Sequence, residues 1–306
     1  PALIEYIFNS IDIIEKMDEF RHVEQILAVT GSLISKITDD KFFKNIVQKY
    51  KNFIDKKYQL NSIDDKLIEN IEKSENFYKG IVVTKNFISF LSKKCDLTFL
   101  TGFQNFTSVF KLIDKSIKKE KNFIEPKNLI TVNPKITRQI RKEIVNLYIE
   151  TFKSLNYDSF DFHQKQKIKE IVENLIFSFD FTGDLISQEP VILELISIVL
   201  KESRFFIGLD IAKIVFKSFL IPTFCQINNS SVDCSEYKLP FFNSIKSLIE
   251  NNFKDLFRLD NDPIIAEKSF SLILDSLING FKEEDAMLSN LALDLVKTFL
   301  IKIDLH

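Results

Sequence analysis

The side chains that most often carry chemistry are few and scattered in this sequence. Its three histidines, His22, His163 and His306, are too far apart along the chain for a zinc site or a histidine-based proton relay. No Gly-Lys-Ser/Thr phosphate loop, GxGxxG turn or GxSxG nucleophile elbow occurs. The sequence therefore predicts a protein that is not an enzyme, with no catalytic residues, no metal and no cofactor.

The cysteines point in the same direction. Cys95, Cys225 and Cys234 do not have the spacing of metal ligands, and an odd, sparse number of cysteines is typical of a reducing compartment. Cys225 and Cys234 lie nine residues apart across a predicted loop. They fit two interpretations, a disulfide formed under oxidation or two independent thiols.

The charged residues nearly balance. The chain has 41 Lys and Arg against 43 Asp and Glu, which argues against a direct nucleic-acid binder. The basic run Lys115–Lys121 ends a predicted helix, where cations complement the last carbonyl groups. The run is interpreted as a solvated helix end, with binding of a phosphate or an acidic partner as the alternative.

One charged pattern is a candidate binding surface. Asp210, Lys213 and Lys217 recur at three- and four-residue spacing and form a narrow polar stripe on an otherwise apolar helix. In a solenoid, this stripe on the second helix of a hairpin would lie on the concave side and contact a partner. A stripe that only faces solvent is the alternative interpretation.

Helical periodicity runs through the whole chain, whereas strand alternation is nearly absent. Only 6 Gly and 7 Pro are available for turns, so strand-rich folds are disfavoured. Gly31-Ser32 and Gly102-Phe103 lie inside helical patterns, where a packing role is expected rather than a nucleophile. The predicted helices are Leu3–Ile14, His22–Ile37, Phe42–Tyr58, Leu67–Leu91, Phe99–Lys119, Ile136–Leu155, Lys165–Phe179, Val191–Ser203, Gly208–Gln226, Glu236–Phe257, Pro263–Phe281 and Glu283–Ile303.

Helices of this number and length cannot all bury their apolar faces around one compact centre. Stacked hairpins solve the problem because each hairpin covers its neighbour. Hairpins predicted to begin near Pro190, Glu236 and Glu283 repeat every ~47 residues, which is in the HEAT and armadillo range. The predicted fold is an all-α, HEAT-type helical-hairpin solenoid (an α-α superhelix), with a bundle-type α domain as the alternative.

Domain organisation follows from the same pattern. We expect one solenoid over residues 1–306, with about six hairpins of which the last is incomplete. Because both ends fall inside amphipathic patterns, the chain is expected to be a fragment of a longer one.

The most apolar window, Phe205–Ile227, contains charged residues and a proline, so it is not expected to span a membrane. Asp262 and the acidic run Glu283–Asp285 are expected to cap the last two helices.

With the hairpins placed, the order of several segments resembles a known family. That order is a helix opening on Glu-Pro, a helix ending near Ile-Asn, an acidic loop closing on Glu-Tyr, a Phe-rich helix, and a Leu-Asp-Ser helix ending in Phe-Lys. The matching segments here are Glu189–Val199, Ile211–Leu220 with Ile227-Asn228, Asp233–Tyr237, Leu239–Phe242 and Ser271–Lys282, preceded in order by Gln25–Ile34, Val47–Tyr50 and Arg138–Leu147. The chain resembles the C-terminal HEAT repeats of the nuclear exportins for leucine-rich signals, in the importin-β (karyopherin) superfamily.

The resemblance implies a function. It implies part of a nuclear export receptor that carries leucine-rich export-signal cargo with GTP-bound Ran through nuclear pores, contacts nucleoporins, and shuttles between nucleus and cytoplasm. The family's signal-binding groove and its reactive cysteine lie outside the matching region, so no cargo-site residue is transferred. Asp210, Lys213 and Lys217 are assigned to the Ran-facing side by their expected position. The alternative is another HEAT-repeat scaffold or a different karyopherin that acts as a protein-interaction platform.

Overall fold

The computed structural model describes residues 6–7, 10, 20–61, 63, 67–68, 70–91, 93–113, 134–179, 189–202, 211–229, 234–257 and 263–304. Within these ranges the chain is almost entirely helical, with one isolated parallel β-bridge between Cys95 and Leu155. The chain divides into two compact units, Pro1–Phe160 and Asp161–His306, and each is described by itself.

The first unit stacks its long helices side by side. Helix α3 packs against both α1 and α6, so these three form one layer, and α2 packs against α3 through Tyr50, whose ring stacks on Phe87 at 3.6 Å. A 3-10 turn at Tyr157–Ser159 follows the last helix. The helices are α1 (Phe20–Ser35), α2 (Asp40–Tyr58), α3 (Ile71–Ser89), α4 (Leu97–Gly102), α5 (106–113) and α6 (Pro134–Ser154).

The second unit repeats this arrangement. Helix α10 packs against α8 and α12, which gives one layer, and α11 packs against α10 and α12. The three helices of the layer begin at residues 191, 235 and 286. The two intervals between these starts lie on either side of the predicted repeat length of ~47 residues. The helices are α7 (Phe162–Phe177), α8 (Val191–Lys201), α9 (Ile211–Val215, a π turn at Phe216–Leu220, then Ile221–Asn229), α10 (Ser235–Phe257), α11 (Pro263–Phe281) and α12 (Ala286–Asp304).

Polar side chains define where the helices begin. The Phe42 N–H donates to the Asp39 carboxylate at 2.8 Å at the start of α2, and Asn70 caps α3 in the same way. Asp161 forms a full capping box at α7. The predicted cap at Asp285 is confirmed, since the Met287 N–H donates to its Oδ1 at 2.7 Å. These bonds satisfy amide groups that have no partner inside the helix. Asp262 lies outside the described residues.

Two predicted helices differ from the structure in their interior. The helix predicted over Phe99–Lys119 is interrupted by a turn at residues 103–105, and the part after residue 113 lies outside the described residues. Helix α9 contains a π turn, in which the Ile221 N–H donates to the Phe216 carbonyl. This turn comes directly before Pro222, which has no N–H and whose ring excludes the carbonyl four residues earlier, so a regular α register cannot continue there.

Glycine has different roles at the two positions singled out in the sequence. A Cβ on Gly31 of α1 would lie 2.8 Å from the Phe87 carbonyl oxygen of α3, so the helices cross closely because glycine is there. A Cβ on Gly102 would meet nothing within 4 Å. The expected packing role is therefore confirmed for Gly31. In the pair Gly102-Phe103 the packing role falls to Phe103, which is buried and stacks on Phe106, whereas Gly102 itself packs against nothing.

Helices that pack against each other in repeated layers are the all-α helical-repeat solenoid architecture predicted from the sequence. The core consists of Leu, Ile, Val and Phe side chains, and the largest fully buried ones are aromatic. None of the described helices combines the length and apolar character that are needed to cross a membrane.

Candidate functional site

The predicted polar stripe falls on helix α9. Lys217 lies in the π turn and is exposed, while its neighbours Phe216 and Phe219 are fully buried. Lys213 belongs to the first segment of α9, and Asp210 lies outside the described residues. The stripe as a partner-binding surface therefore remains a prediction. The basic run Lys115–Lys121 also lies outside the described residues.

A polar network that the sequence does not indicate crosses the layer α1, α3 and α6 of the first unit. The Lys85 ammonium of α3 forms an ion pair with Glu143 of α6 at 2.5 Å. The amide of Asn86, the next residue, lies 3.5 Å from Glu24 Oε1 of α1, and Asn146 donates to Glu143 at 3.3 Å. We name Glu24, Lys85, Asn86, Glu143 and Asn146 the polar ladder.

Burial decides the electrostatics of the polar ladder. Desolvation raises the pKa of Glu24, and the nearby Glu143 carboxylate adds to this, while Lys85 acts in the opposite direction. The pKa of Tyr78 in α3 is also raised, mainly by burial and then by the same two carboxylates. The ladder therefore carries two carboxylates around one paired lysine, on side chains that are only half buried. It can accept hydrogen bonds from a cationic group of a partner.

In the second unit, side-chain hydrogen bonds connect α8 and α10. The hydroxyls of Ser197 and Ser247 lie 2.7 Å apart, and the Ser244 hydroxyl donates to a carbonyl of α8 at 2.8 Å. The Asn252 amide donates to the Leu200 carbonyl at 3.0 Å, near the end of α8. Asn252 has non-helical backbone angles, φ −128° and ψ 16°, so α10 is kinked where it binds α8.

The three cysteines occupy different environments and all are free thiols. Cys225 is exposed, while Cys95 and Cys234 are buried. Burial, and then the neighbouring Asp96 carboxylate, raise the pKa of Cys95, so its thiol stays protonated and inert. Cys225 and Cys234 are therefore two independent thiols in the structure and do not form a disulfide.

Stacked hairpins with polar residues across their layers define a helical-repeat protein whose surfaces suit binding. A comparison with protein families identifies the class further: the family described as CRM1 C terminal matches residues 97–306. The chain belongs to this family, the C-terminal region of exportin-1 (CRM1), which is a transport-receptor domain and not a known family of enzymes. A search of curated proteins found no match. The matched region contains α4 to α12 and the predicted stripe, whereas Glu24, Lys85 and Asn86 precede it.

Sequence reasoning missed the polar ladder for a physical reason. Lys85 and Glu143 are 58 residues apart, and Glu24 and Asn86 are 62 residues apart. Each residue alone belongs to an ordinary amphipathic helix with mixed charges. The packing of α3 between α1 and α6 brings them together, and no local spacing signals that contact.

Proposed function

We propose that this chain is the C-terminal arc of a nuclear export receptor that carries leucine-rich export-signal cargo with GTP-bound Ran through nuclear pores. The observation that supports the proposal is the family match over residues 97–306, on helices packed as stacked hairpins. In this proposal the arc is a single solenoid over residues 1–306 within a longer protein. The receptor contacts nucleoporins and shuttles between nucleus and cytoplasm.

The proposed role needs a large protein-binding surface and no reaction centre. Stacked hairpins supply such a surface, and small rotations between repeats allow it to adjust to a partner. In our proposal Ran contacts the side that carries Asp210, Lys213 and Lys217. The polar ladder, with its two carboxylates, is a second candidate contact.

Binding of an export-signal peptide tests the transport proposal. The longer protein that contains this chain is titrated with a labelled leucine-rich signal peptide, with and without Ran loaded with a non-hydrolysable GTP analogue. The peptide should bind more tightly when Ran is present. Peptide binding that Ran does not strengthen would refute the exportin function and support the alternative of another HEAT-repeat scaffold. The 306-residue chain alone should not bind the peptide, because the proposed groove lies outside it.

A charge reversal tests the proposed Ran side. The variant Lys217→Glu should weaken binding of loaded Ran to the longer protein, because the exposed ammonium in the π turn becomes a carboxylate. The control Lys167→Glu makes the same change on an exposed position of α7 in the same unit. Equal Ran affinities of the two variants would exclude Lys217 from the contact.

A further inference from the structure

The chain is nearly neutral as a whole, but its two units have net charges of opposite sign. Residues 1–160 contain 26 Lys and Arg against 21 Asp and Glu, and residues 161–306 contain 15 against 22. Helix α2 alone has six lysines and two aspartates. The first unit therefore has a net positive charge, to which α2 contributes.

Lysines converge where α2 faces the turn between α3 and α4. Lys44 and Lys51 are seven residues apart, so they share one face of α2 about 10.5 Å apart along its axis. Lys94 comes from the α3–α4 turn. Its ammonium donates to the Ile37 carbonyl, just before α2, at 2.8 Å and lies 5.7 Å from the centre of the Phe43 ring. We name Lys44, Lys51 and Lys94 the lysine cluster.

Aromatic rings hold two of these ammonium groups in place. Lys51 Nζ lies 4.3 Å from the centre of the Phe99 ring and donates to the Thr98 hydroxyl at 3.2 Å. The Phe43 and Phe99 rings are buried, so the surrounding side chains hold them in one position. Cation–π contacts stabilise a partly desolvated ammonium without neutralising it. A partner would therefore meet charges that are already positioned, and less conformational entropy would be lost on binding.

Two carboxylates beside the lysine cluster serve as helix caps. Asp39 accepts the Phe42 N–H at the start of α2, and Asp96 accepts the Thr98 N–H at 3.0 Å at the start of α4. Within the described part of the chain, none of the three cluster lysines forms a salt bridge with a carboxylate. Burial lowers the pKa of Lys51, and the nearby Asp96 carboxylate acts in the opposite direction. The exposed Lys44 and Lys94 therefore carry most of the positive charge that an acidic partner would complement.

The chemistry of the cluster favours carboxylates over nucleic acid. Single-stranded nucleic acid binds to exposed aromatic rings by stacking, but the Phe43 and Phe99 rings are buried. The cluster has no arginine for bidentate phosphate contacts. We propose that the lysine cluster binds an acidic segment of another protein.

Peptide binding to the full 306-residue chain tests this proposal. The probe is a fluorescein-labelled peptide of alternating Glu and Ser, titrated by fluorescence anisotropy at low salt. The double variant Lys44→Gln/Lys51→Gln should weaken binding by about fivefold to tenfold, since one exposed and one half-buried ion pair with the peptide are lost. The control Lys49→Gln/Lys56→Gln removes the same charge from another face of α2 and should change the affinity less than twofold.

Three outcomes would overturn the proposal. The native chain does not bind the peptide, both double variants lose affinity equally, or a single-stranded RNA of the same charge binds more tightly than the peptide. Circular dichroism of each variant shows whether it is folded. If Lys44→Gln/Lys51→Gln is not, the single variant Lys44→Gln, whose side chain is exposed, replaces it and should still weaken binding more than Lys49→Gln.

Discussion

The close crossing of α1 and α3 makes a sharp prediction for Gly31. The substitution Gly31→Ala adds a methyl group whose carbon would lie 2.8 Å from the Phe87 carbonyl oxygen and 3.3 Å from both the Phe87 ring and Phe90 Cβ. The oxygen belongs to the backbone of α3, so a side-chain rotation cannot relieve the contact. One helix must move by a few tenths of an ångström relative to the other.

The magnitude follows from two opposing effects. Alanine in place of glycine stabilises a helix by up to about 1 kcal/mol. Overpacking a tight interface costs about 1–3 kcal/mol. The net effect of Gly31→Ala is a loss of about 1 kcal/mol in the free energy of unfolding. Gly102→Ala is the matched control, because its methyl group would meet nothing within 4 Å, and it should gain a few tenths of a kcal/mol.

The assay is urea denaturation followed by far-ultraviolet circular dichroism, together with hydrogen exchange resolved by peptide. Gly31→Ala should lower the unfolding midpoint and speed exchange in α1 and α3, whereas Gly102→Ala should raise the midpoint slightly. If Gly31→Ala stabilises the protein as much as Gly102→Ala does, the close crossing of α1 and α3 described here is wrong.

Two further predictions concern the second unit and the thiols. Asn252→Ala removes the side-chain donor to the buried Leu200 carbonyl and should lower the free energy of unfolding by about 1–3 kcal/mol in urea. Asn251→Ala, at an exposed position, should change the free energy of unfolding by less than about 0.5 kcal/mol. Equal effects would contradict the bridge from α10 to α8. In the native protein near pH 8, a thiol reagent should react rapidly with the exposed Cys225, and Cys225→Ser should abolish this phase. Rapid labelling of Cys95 would contradict its burial and raised pKa.

The pattern of helices was predictable from the sequence because it depends on local chemistry. Apolar residues at helical spacing and breakers between them predicted α2, α8, α10 and α11 with ends that agree with the structure to within two residues. Asp285 was predicted as a cap since a carboxylate at a helix start satisfies free amides. Pro222, by contrast, lies inside a pattern that predicts one continuous helix. The sequence does not indicate the π turn before Pro222, which only the backbone of the structure shows.

The sequence by itself determined that this is an all-α helical-repeat protein of the exportin type. Helical periodicity, helix caps and the order of segments depend on residues that are close together along the chain. Tertiary structure decided which polar groups meet. Glu24, Lys85 and Glu143 come together by the stacking of three helices, and Lys51 lies on the Phe99 ring by the packing of α2 beside α4. Contacts between residues about 50 to 120 positions apart depend on the angle and register of the helices, which no local spacing encodes.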